Sequence, residues 1–436
     1  MRHVKTAVAL LLGSTLASLA LGCGDDDPGP SPSGSGGMAG ASGSGGKGGG
    51  GSGGSATSGS GGGGNGGGGS SGMTDAGDAG TFQPALLIDL GDTCNTPDGM
   101  RKDPKSTDIV LSCPNFFGKT PGDAGTFTAP PVLMKITADN HLEPYFANLP
   151  APPDTPNRAG PMGIDFGPDG NLYVADHQYR YDTKYKSRVL RVNIDAMGKP
   201  TTADVVVDGI RLANAVMWNK DYLYLTDTWA FDEPAAGGKS AIYRFSKAEL
   251  AAATTANPIH VQKPTSADGG ADAATTDPHM FAQLTTEANR GVNLAGADGI
   301  TFDDLGNLYT GNFGDGVITK ITFDAQGNKD MQTIFVKDPK LTCADGIFFD
   351  AASKNIYVAD SQKNAIKVIS PTGTVSTLWE NDDTTGVNGL LDQPAEPTLR
   401  GNDLIIANFD AGFPAPQPGK NQTSDAPHTI SVIRLK

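Results

Sequence analysis

A short unit that reads as a β-hairpin recurs along this chain, and it limits the possible folds more than any other feature. In residues 298–314 an acid precedes the run Ile-Thr-Phe, the turn Asp-Asp-Leu-Gly-Asn interrupts it, and a second run, Leu-Tyr-Thr, follows. Apolar and β-branched residues around a Gly/Asn turn are typical of antiparallel strands. Residues 345–360 and 162–176 repeat the unit closely, and looser copies begin at Asp98, Asn214 and Glu396. These copies predict an all-β fold, a six-bladed β-propeller.

The predicted propeller occupies residues 81–436, with four strands in each blade. The last blade has strands starting near residues 397, 404 and 429, and the chain ends before a fourth. We therefore expect residues 85–90, the N-terminal strand of the domain, to complete that blade and close the ring. A long polar insert, residues 247–280, interrupts blade three. Its histidines, His260 and His279, are expected on the rim opposite to the candidate site, with no part in it.

The residues before the propeller have the composition of processing and linker segments. Residues 1–23 read as a lipoprotein-type signal peptide in which a basic start and an apolar stretch lead to Cys23, the predicted lipidation site. Ordinary secretory cleavage nearby is the alternative. Residues 24–80 are almost wholly Gly, Ser, Ala and Pro, so they have little to bury and are predicted to be a disordered tether. We therefore expect an exported cell-envelope protein, periplasmic or on the cell surface, that meets the membrane only through a lipid anchor.

The charge of the chain restricts its partners. The formal net charge is −15 at pH 7, which argues against nucleic acid, because phosphate contacts require a basic surface. An acidic protein suits bound cations or simple solubility. We expect a monomer.

Three cysteines follow Cys23, and two of them are predicted to pair. Cys94 precedes the first inner strand and Cys113 ends the next strand, so both belong at the same rim of one blade. A Cys94–Cys113 disulfide fits an oxidising envelope. Cys343 is left over, and its competition for Cys94 is the alternative. The cysteine and histidine spacings match no zinc site.

Aligning the blades places one residue of each just before its inner strand, at one end of the central channel. These six residues, called the ring here, are Asp98, Met162, Asn214, Asp298, Asp345 and Glu396. Converging carboxylates repel one another and lose water, and Ca²⁺ relieves both problems because it binds several carboxylate and amide oxygens. Five ring residues, all but Met162, are therefore predicted metal ligands. The alternative is that the Asp-Gly pairs are turn residues, although Asn214 precedes an alanine.

A second column of polar residues ends the second strand of each blade. We predict that these residues cap turns by binding backbone amides, while Asn312 or Asn408 remains open as a further ligand. The loops after this column carry His177, Tyr179, Arg180 and Tyr181, then Trp229, Phe231 and Phe413, which suit a ligand pocket. His177 is a candidate acid or base, with a turn-stabilising role as the alternative. The column comprises Asn115, Asp176, Asp227, Asn312, Asp360 and Asn408.

The ring motifs resemble those of the calcium-dependent six-bladed propellers of the SMP-30-like superfamily of gluconolactonase, regucalcin and paraoxonase. The resemblance rests on Thr-Pro-Asp-Gly at 96–99, Asn-Ala-Val at 214–216 and Ala-Asp-Gly-Ile at 297–300 and 344–347. It implies that Asp98 replaces a metal-binding Glu, while Asn214 and Asp298 match an Asn and an Asp ligand. Asp345 matches an additional paraoxonase-type ligand. Glu396 sits one blade out of phase with the family's Glu, and NHL-like non-catalytic propellers share the single motifs.

Two functions follow as hypotheses. The first is a Ca²⁺-dependent hydrolase of lactones or related esters, with Asp298, or His177 through a water, as the base. The second is a non-catalytic, surface-tethered propeller that binds a ligand or protein. Fold alone does not choose between them.

Overall fold

The structure is a computed structural model, and it describes residues 82–116, 129–153, 158–231, 238–264, 277–287, 294–411 and 419–436. The predicted signal peptide with Cys23, the predicted tether and Phe413 lie outside these residues. Over the described ranges the chain is a six-bladed β-propeller, as predicted. No helix in these ranges is both long and apolar enough to span a membrane.

Blades one to three follow each other along the chain, each an antiparallel sheet with its first strand innermost. Blade one contains β2 Met100–Lys102, β3 Ile109–Cys113, β4 Val132–Ile136 and β5 Leu142–Phe146. Blade two contains β6 Pro161–Phe166, β7 Leu172–Asp176, β8 Ser187–Ile194 and β9 Pro200–Ile210. Blade three contains β10 Ala213–Asn219, β11 Tyr222–Asp227, β12 Lys239–Ser246 and β14 Met280–Thr285, with α1 Lys247–Ala252 and β13 Ile259–His260 in between.

Blades four to six complete the circle. Blade four contains β15 Ala297–Phe302, β16 Leu308–Asn312, β17 Ile318–Phe323 and β18 Lys329–Val336. Blade five contains β19 Ile347–Phe349, β20 Ile356–Asp360, β21 Ala365–Ile369 and β22 Val375–Glu380. Blade six contains β23 Pro394–Arg400, β24 Asp403–Asn408 and β25 Thr429–Arg434, and its outer strand is β1 Ala85–Asp89.

The N-terminal strand closes the ring as predicted. β1 runs antiparallel to β25, with Ala85 opposite Val432 and Asp89 opposite Thr429. Leu90 extends the pairing, since its backbone N donates to the His428 carbonyl at 2.9 Å. The first and last strands of the propeller therefore share one sheet.

The core lies between neighbouring blades, because both faces of each second strand are covered. All five residues of β7 are buried, as are all five of β16 and β20. Between blades one and two, for example, Val110 and Leu133 pack with Leu172 in one apolar cluster. Burial on both faces explains why these strands read as continuous apolar runs in the sequence.

The inner hairpin turn of blade four follows from its Asp-x-x-Gly-Asn sequence at 303–307. The Asp303 carboxylate accepts hydrogen bonds from the backbone N of Leu305 at 3.0 Å and of Asn307 at 2.8 Å. Gly306 has φ +83°, a left-handed conformation that glycine adopts without a side-chain clash. These local preferences set the register of the inner hairpin of blade four.

The insert in blade three contacts blade two. β13 pairs in parallel with β9, placing Ile259 opposite Val207 and His260 opposite Asp208, so blade two has five strands. The His260 Nδ1 lies 2.6 Å from an Asp208 carboxylate oxygen. His279 lies 3.0 Å from Asp277. Both histidines thus contact acids of the insert or of its docking strand.

The cysteines of blade one form the predicted disulfide. Cys94 and Cys113 are bonded, with 5.2 Å between their Cα atoms. Cys343 is a free, fully buried cysteine that packs in a separate cluster with Leu212, Trp229 and Phe313. The alternative pairing of Cys94 with Cys343 is therefore wrong.

Candidate metal centre

Each ring residue lies at an irregular point where its inner strand begins. In blades two, three, four and six the pairing register of the inner strand shifts at the ring position, between Pro161 and Ile164, Ala213 and Val216, Ala297 and Ile300, and Pro394 and Pro397. In blades one and five, pairing starts just after the ring acid. A bulge re-aims the side chain that it contains, so the same local defect presents the ring residue in successive blades.

The glycines after the ring acids serve close packing between inner strands. A Cβ added to Gly99 would lie 2.6 Å from the Met162 carbonyl oxygen, and one added to Gly346 would lie 2.7 Å from the Glu396 Cα. Neither glycine has a left-handed backbone, so turn geometry does not require it. Packing between strands therefore accounts for the glycine of each pair, while the role of the acids stays a prediction.

The ring side chains range from buried to half-buried, and two of them, Asp298 and Asp345, accept side-chain hydrogen bonds. Asn214 Nδ2 donates to Asp298 Oδ2 at 2.7 Å, and Ser361 Oγ donates to Asp345 Oδ2 at 2.8 Å. Asp298 is 3% exposed, and Thr226 Oγ1 also binds its backbone carbonyl at 2.8 Å. Hydrogen bonds to both its side chain and its backbone carbonyl therefore hold Asp298 in place at the start of β15.

The ring carboxylates interact electrostatically with one another. Burial, and then repulsion from Asp345 and Glu396, raises the pKa of Asp98 well above its usual range. Burial raises the pKa of Asp298 strongly as well, with Asp345, Asp98 and Glu396 adding to the effect. Burial raises the pKa of Asp345 to about 7. Four acids that resist ionisation together mark a site with an excess of negative charge.

Glu396 shares this field and has a nearby cation. Burial raises its pKa to about 8, the positive charge of Arg101 opposes the rise, and Asp345 and Asp165 add to it. Arg101 Nε itself lies 3.1 Å from Asp165 Oδ1. Because the Arg101 guanidinium also pairs with Asp165, its single positive charge compensates little of the negative charge of the ring.

The donor set fits a hard divalent cation in its chemistry, because it consists of carboxylate and amide oxygens. The spacing is looser than a coordination shell. Within the described residues, three acidic side chains of blade six have ligand atoms that all lie within 4.8 Å of one another. No three acidic, His or Cys side chains of the ring meet this distance in the described part of the chain. Asp298 and Asp345 each already accept a hydrogen bond from a neighbouring side chain, so a shared cation requires these side chains to rearrange.

The second column has the predicted structural role. Its side chains accept hydrogen bonds from backbone amides in the loops that lead to the inner strands. Asp176 Oδ1 accepts from the Gly160 N at 2.6 Å, and Asp227 Oδ1 accepts from the Leu212 N at 2.8 Å. The same pattern holds for Asn115 with Asn95, Asp360 with Thr342 and Asn408 with Asp392.

Two members of this column were open as further metal ligands, and both have protein partners. Asn312 donates to the Thr286 hydroxyl at 3.1 Å. Asn408 donates to Thr429 Oγ1 at 3.0 Å, while its Oδ1 accepts from the Asp392 N. Nothing in these contacts assigns either residue to the ring.

His177 is packed into the protein. It is 5% exposed, and its Nε2 accepts a hydrogen bond from the Arg180 N at 3.3 Å. The ring of Phe116 lies 5.5 Å away. Burial, followed by the positive charge of Arg180, lowers the pKa of His177 to about 3. No ring carboxylate is among these influences, and the contact to Arg180 is that of a turn-stabilising residue.

The loop after His177 also forms a shallow pocket of about 380 Å³, lined by residues 179–184. Trp229 and Phe231, which were predicted to face a ligand, are buried in apolar clusters. Tyr179 packs beside Trp229, and Tyr181 packs against the cluster that contains Phe231. Trp229 and Phe231 therefore belong to two apolar clusters and do not line this pocket.

Sequence reasoning missed the hydroxyl groups that hold the inner strands. Besides Thr226 and Ser361, Thr310 Oγ1 binds the Gly299 carbonyl at 3.0 Å, and the Gly99 N binds Ser112 Oγ at 2.9 Å. A signal was present, because Ser112 and Thr226 directly precede the last residue of their apolar second strands. Arg101 was also missed, since its position gives no sign that it reaches Asp165.

Comparisons with known proteins agree with the fold. No protein-family model matches the chain, and no curated protein matches it. A luciferin-regenerating enzyme aligns at 13% identity over 81% of this chain and 97% of its own, with a TM-score of 0.49. A gluconolactonase from Xanthomonas campestris aligns at 13% over 82% and 91%, with a TM-score of 0.47.

A regucalcin from Agrobacterium tumefaciens, described as a calcium-binding protein, aligns at 13% over 82% of this chain and 96% of its own, with a TM-score of 0.46. These structural neighbours include a gluconolactonase and a regucalcin, which are named in the resemblance seen in the sequence. At such identities the similarity is one of fold, so function has to be argued from the side chains.

Proposed function

We propose that this protein is a Ca²⁺-dependent hydrolase of lactones or related esters. The observation that carries the proposal is the ring, in which two buried carboxylates, two half-buried carboxylates and one amide share a single electrostatic field at the start of the inner strands. Asp98, Asn214, Asp298, Asp345 and Glu396 would hold the ion. Bound there, Ca²⁺ supplies Lewis acidity toward a carbonyl oxygen.

The residues of the chain divide the remaining work. Asn214 orients Asp298 through the hydrogen bond to Oδ2. Asp298 also shares a side-chain hydrogen bond with Asp345, which would have to open before Asp298 accepts a proton from water. A buried carboxyl with a raised pKa suits a base that works near neutral pH. His177 suits this role less well, because its Nε2 already accepts from Arg180 and its pKa is lowered to about 3. We therefore assign Asp298 as the base.

The test begins with calcium content and calorimetric Ca²⁺ titration of the purified protein and of Asp298→Ala. Asp304→Ala is the matched control, because Asp304 is an exposed acid of the same blade that pairs with Lys354 at 2.8 Å. We expect the ring variant to lose an ion that the control retains. A panel of sugar lactones, aliphatic lactones and aryl esters follows, with and without chelator. Metal-loaded protein with no turnover on the whole panel would refute the hydrolase.

The pairwise arrangement of the ring favours a second candidate function. Asp298 and Asp345 are satisfied by Asn214 and Ser361, and Met162 places an apolar group where the other blades have oxygens. A ring held in this way suits a non-catalytic propeller that binds a ligand or protein partner. That function predicts a bound metal or none, and no turnover of any ester.

We also propose that the protein is exported and anchored in the cell envelope through Cys23. The Cys94–Cys113 disulfide supports an oxidising compartment. Mass spectrometry of the membrane fraction should show a lipidated Cys23 at the mature N-terminus, and Cys23→Ser should release the protein. Recovery of the unchanged protein in the soluble fraction would contradict the anchor.

A further inference from the structure

A second group of acids lies in blade six, outside the ring. Asp392 precedes β23, while Asp410 and Asp425 belong to the connection from β24 to β25. One carboxylate oxygen from each residue lies within 4.8 Å of the other two. Two ligands on opposite sides of Ca²⁺ are about 4.6–5.2 Å apart, so this group has the dimensions of a coordination shell as it stands.

An amide from outside the acidic group joins it. Asn421 is completely buried, and its Nδ2 lies 3.4 Å from Asp410 Oδ1. Its Oδ1 is buried and accepts no hydrogen bond from the described residues. Buried polar atoms nearly always have a partner, so an amide oxygen left without one, in a side chain whose Nδ2 contacts Asp410, indicates a ligand that binds oxygen.

The carboxylates show the same deficit. Asp392 is 1% exposed, and its Oδ1 and the Asp425 Oδ1 are likewise buried with no hydrogen-bond partner in the described part of the chain. Asp410 differs, because its Oδ2 lies 3.1 Å from His428 Nδ1 and accepts from the Asp425 N at 3.2 Å. These contacts fix Asp410 and leave its Oδ1 on the side of Asn421.

The charges around the group are also acidic. Burial, and then repulsion from Asp410, Asp425 and Asp383, raises the pKa of Asp392 to about 10. None of the ring carboxylates contributes to this rise. The two sets of acids are therefore electrostatically separate, and either can bind an ion without the other.

We propose that Asp392, Asp410, Asp425 and Asn421 form a second Ca²⁺ site, structural in role and independent of the ring. Four oxygens without nitrogen or sulfur donors suit Ca²⁺ better than Zn²⁺. The bound ion would join the loop before β23 to the connection after β24, and so stabilise the blade that closes the propeller.

Calorimetric titration of the full chain with Ca²⁺ tests this site. Asp425→Asn and Asp392→Asn should each lower the stoichiometry by one ion, or lower the affinity for that ion at least tenfold. Asp403→Asn is the matched control, since Asp403 belongs to the same blade and lies 3.9 Å from Arg434. If Asp392→Asn does not fold, the partly exposed Asp425 still decides the question.

The Asp298→Ala background separates this site from the ring. An ion that this variant still binds, and that the added Asp425→Asn removes, supports the blade-six site even if the proposed hydrolase fails. Trypsin offers a second readout, because Lys420 precedes Asn421. Ca²⁺ should slow cleavage after Lys420 at least fivefold in the wild type but not in Asp425→Asn. Unchanged stoichiometry and affinity in both blade-six variants would overturn the proposal.

Discussion

The ring acids make the stability of the propeller depend on pH in a direction that Ca²⁺ reverses. Asp345 and Glu396 have pKa values raised from 3.8 to about 7 and from 4.5 to about 8. A carboxyl whose folded pKa is raised binds its proton more tightly in the native state. Its stabilisation is complete below the unfolded pKa and is lost as the pH rises through the folded pKa. Without divalent cations, stability should therefore fall between pH 5 and pH 8.

The size of the effect follows from the same shifts. One pKa unit corresponds to about 1.4 kcal/mol, so Glu396 alone would lose about 4 kcal/mol over the roughly three pH units from pH 5 to its folded pKa. Unfolding entropy of about 2.1 cal/mol/K per residue gives about 0.7 kcal/mol/K for a domain of ~350 residues. The expected fall in Tm is thus about 6 °C.

Differential scanning calorimetry in chelator at pH 5, 6, 7 and 8 measures this fall. Ca²⁺ at pH 8 should restore the Tm, because the cation favours the ionised carboxylates. Asp345→Asn should flatten the pH profile and weaken the response to Ca²⁺, whereas Asp425→Asn should leave the contribution of the ring unchanged. A Tm independent of pH in chelator, or the same pH profile in Asp345→Asn as in the wild type, would refute the electrostatic account of the ring.

Three further predictions concern the scaffold. Gly346→Ala should lower the free energy of unfolding by about 3 kcal/mol or more through overpacking. The control is Gly170→Ala, whose added Cβ meets nothing within 4 Å at φ +82°, and it should cost less. Equal urea midpoints for the two variants would contradict the packing argument. Cys343 is a buried thiol, and its burial raises its pKa. It should therefore react with a thiol reagent only in denaturant. Fast labelling of Cys343 in the native protein would contradict its buried position. Arg188→Ala should lower the free energy of unfolding by about 3–5 kcal/mol, because it leaves Asp176 buried without the guanidinium that binds it at 2.7 Å. Adding Asp176→Asn should recover part of this loss. An Arg188→Ala variant as stable as the wild type would show that solvent compensates the charge of Asp176.

Much of the scaffold was predictable because propeller blades repeat local rules. The apolar runs of the second strands and the Asp-x-x-Gly-Asn turns depend on neighbours in the sequence, so they gave the six blades and their order. The closing strand followed from the missing fourth strand of blade six. The Cys94–Cys113 disulfide followed from placing both residues at one rim.

The site was less predictable because its details depend on contacts between distant residues. The ring positions could be read from alignment of the blades, but the pairing of Asp345 with Ser361 could not. His177 suggested catalysis by its type, whereas burial and Arg180 decide its protonation. Asp392 and Asp425 gave no signal, because they lie in irregular loops far apart in the chain.

The parallel strand β13 bears on how this protein stays in solution. β9 is an outer strand of eleven residues, and Val205–Val207 within it are buried β-branched residues. An uncovered strand of this kind pairs readily with the same strand of another molecule. The insert prevents this from within the chain, since β13 pairs with Val207 and Asp208 and the Val205 N donates to Thr255 Oγ1 at 3.1 Å. Shortening the insert should therefore promote aggregation before it affects any chemistry at the channel.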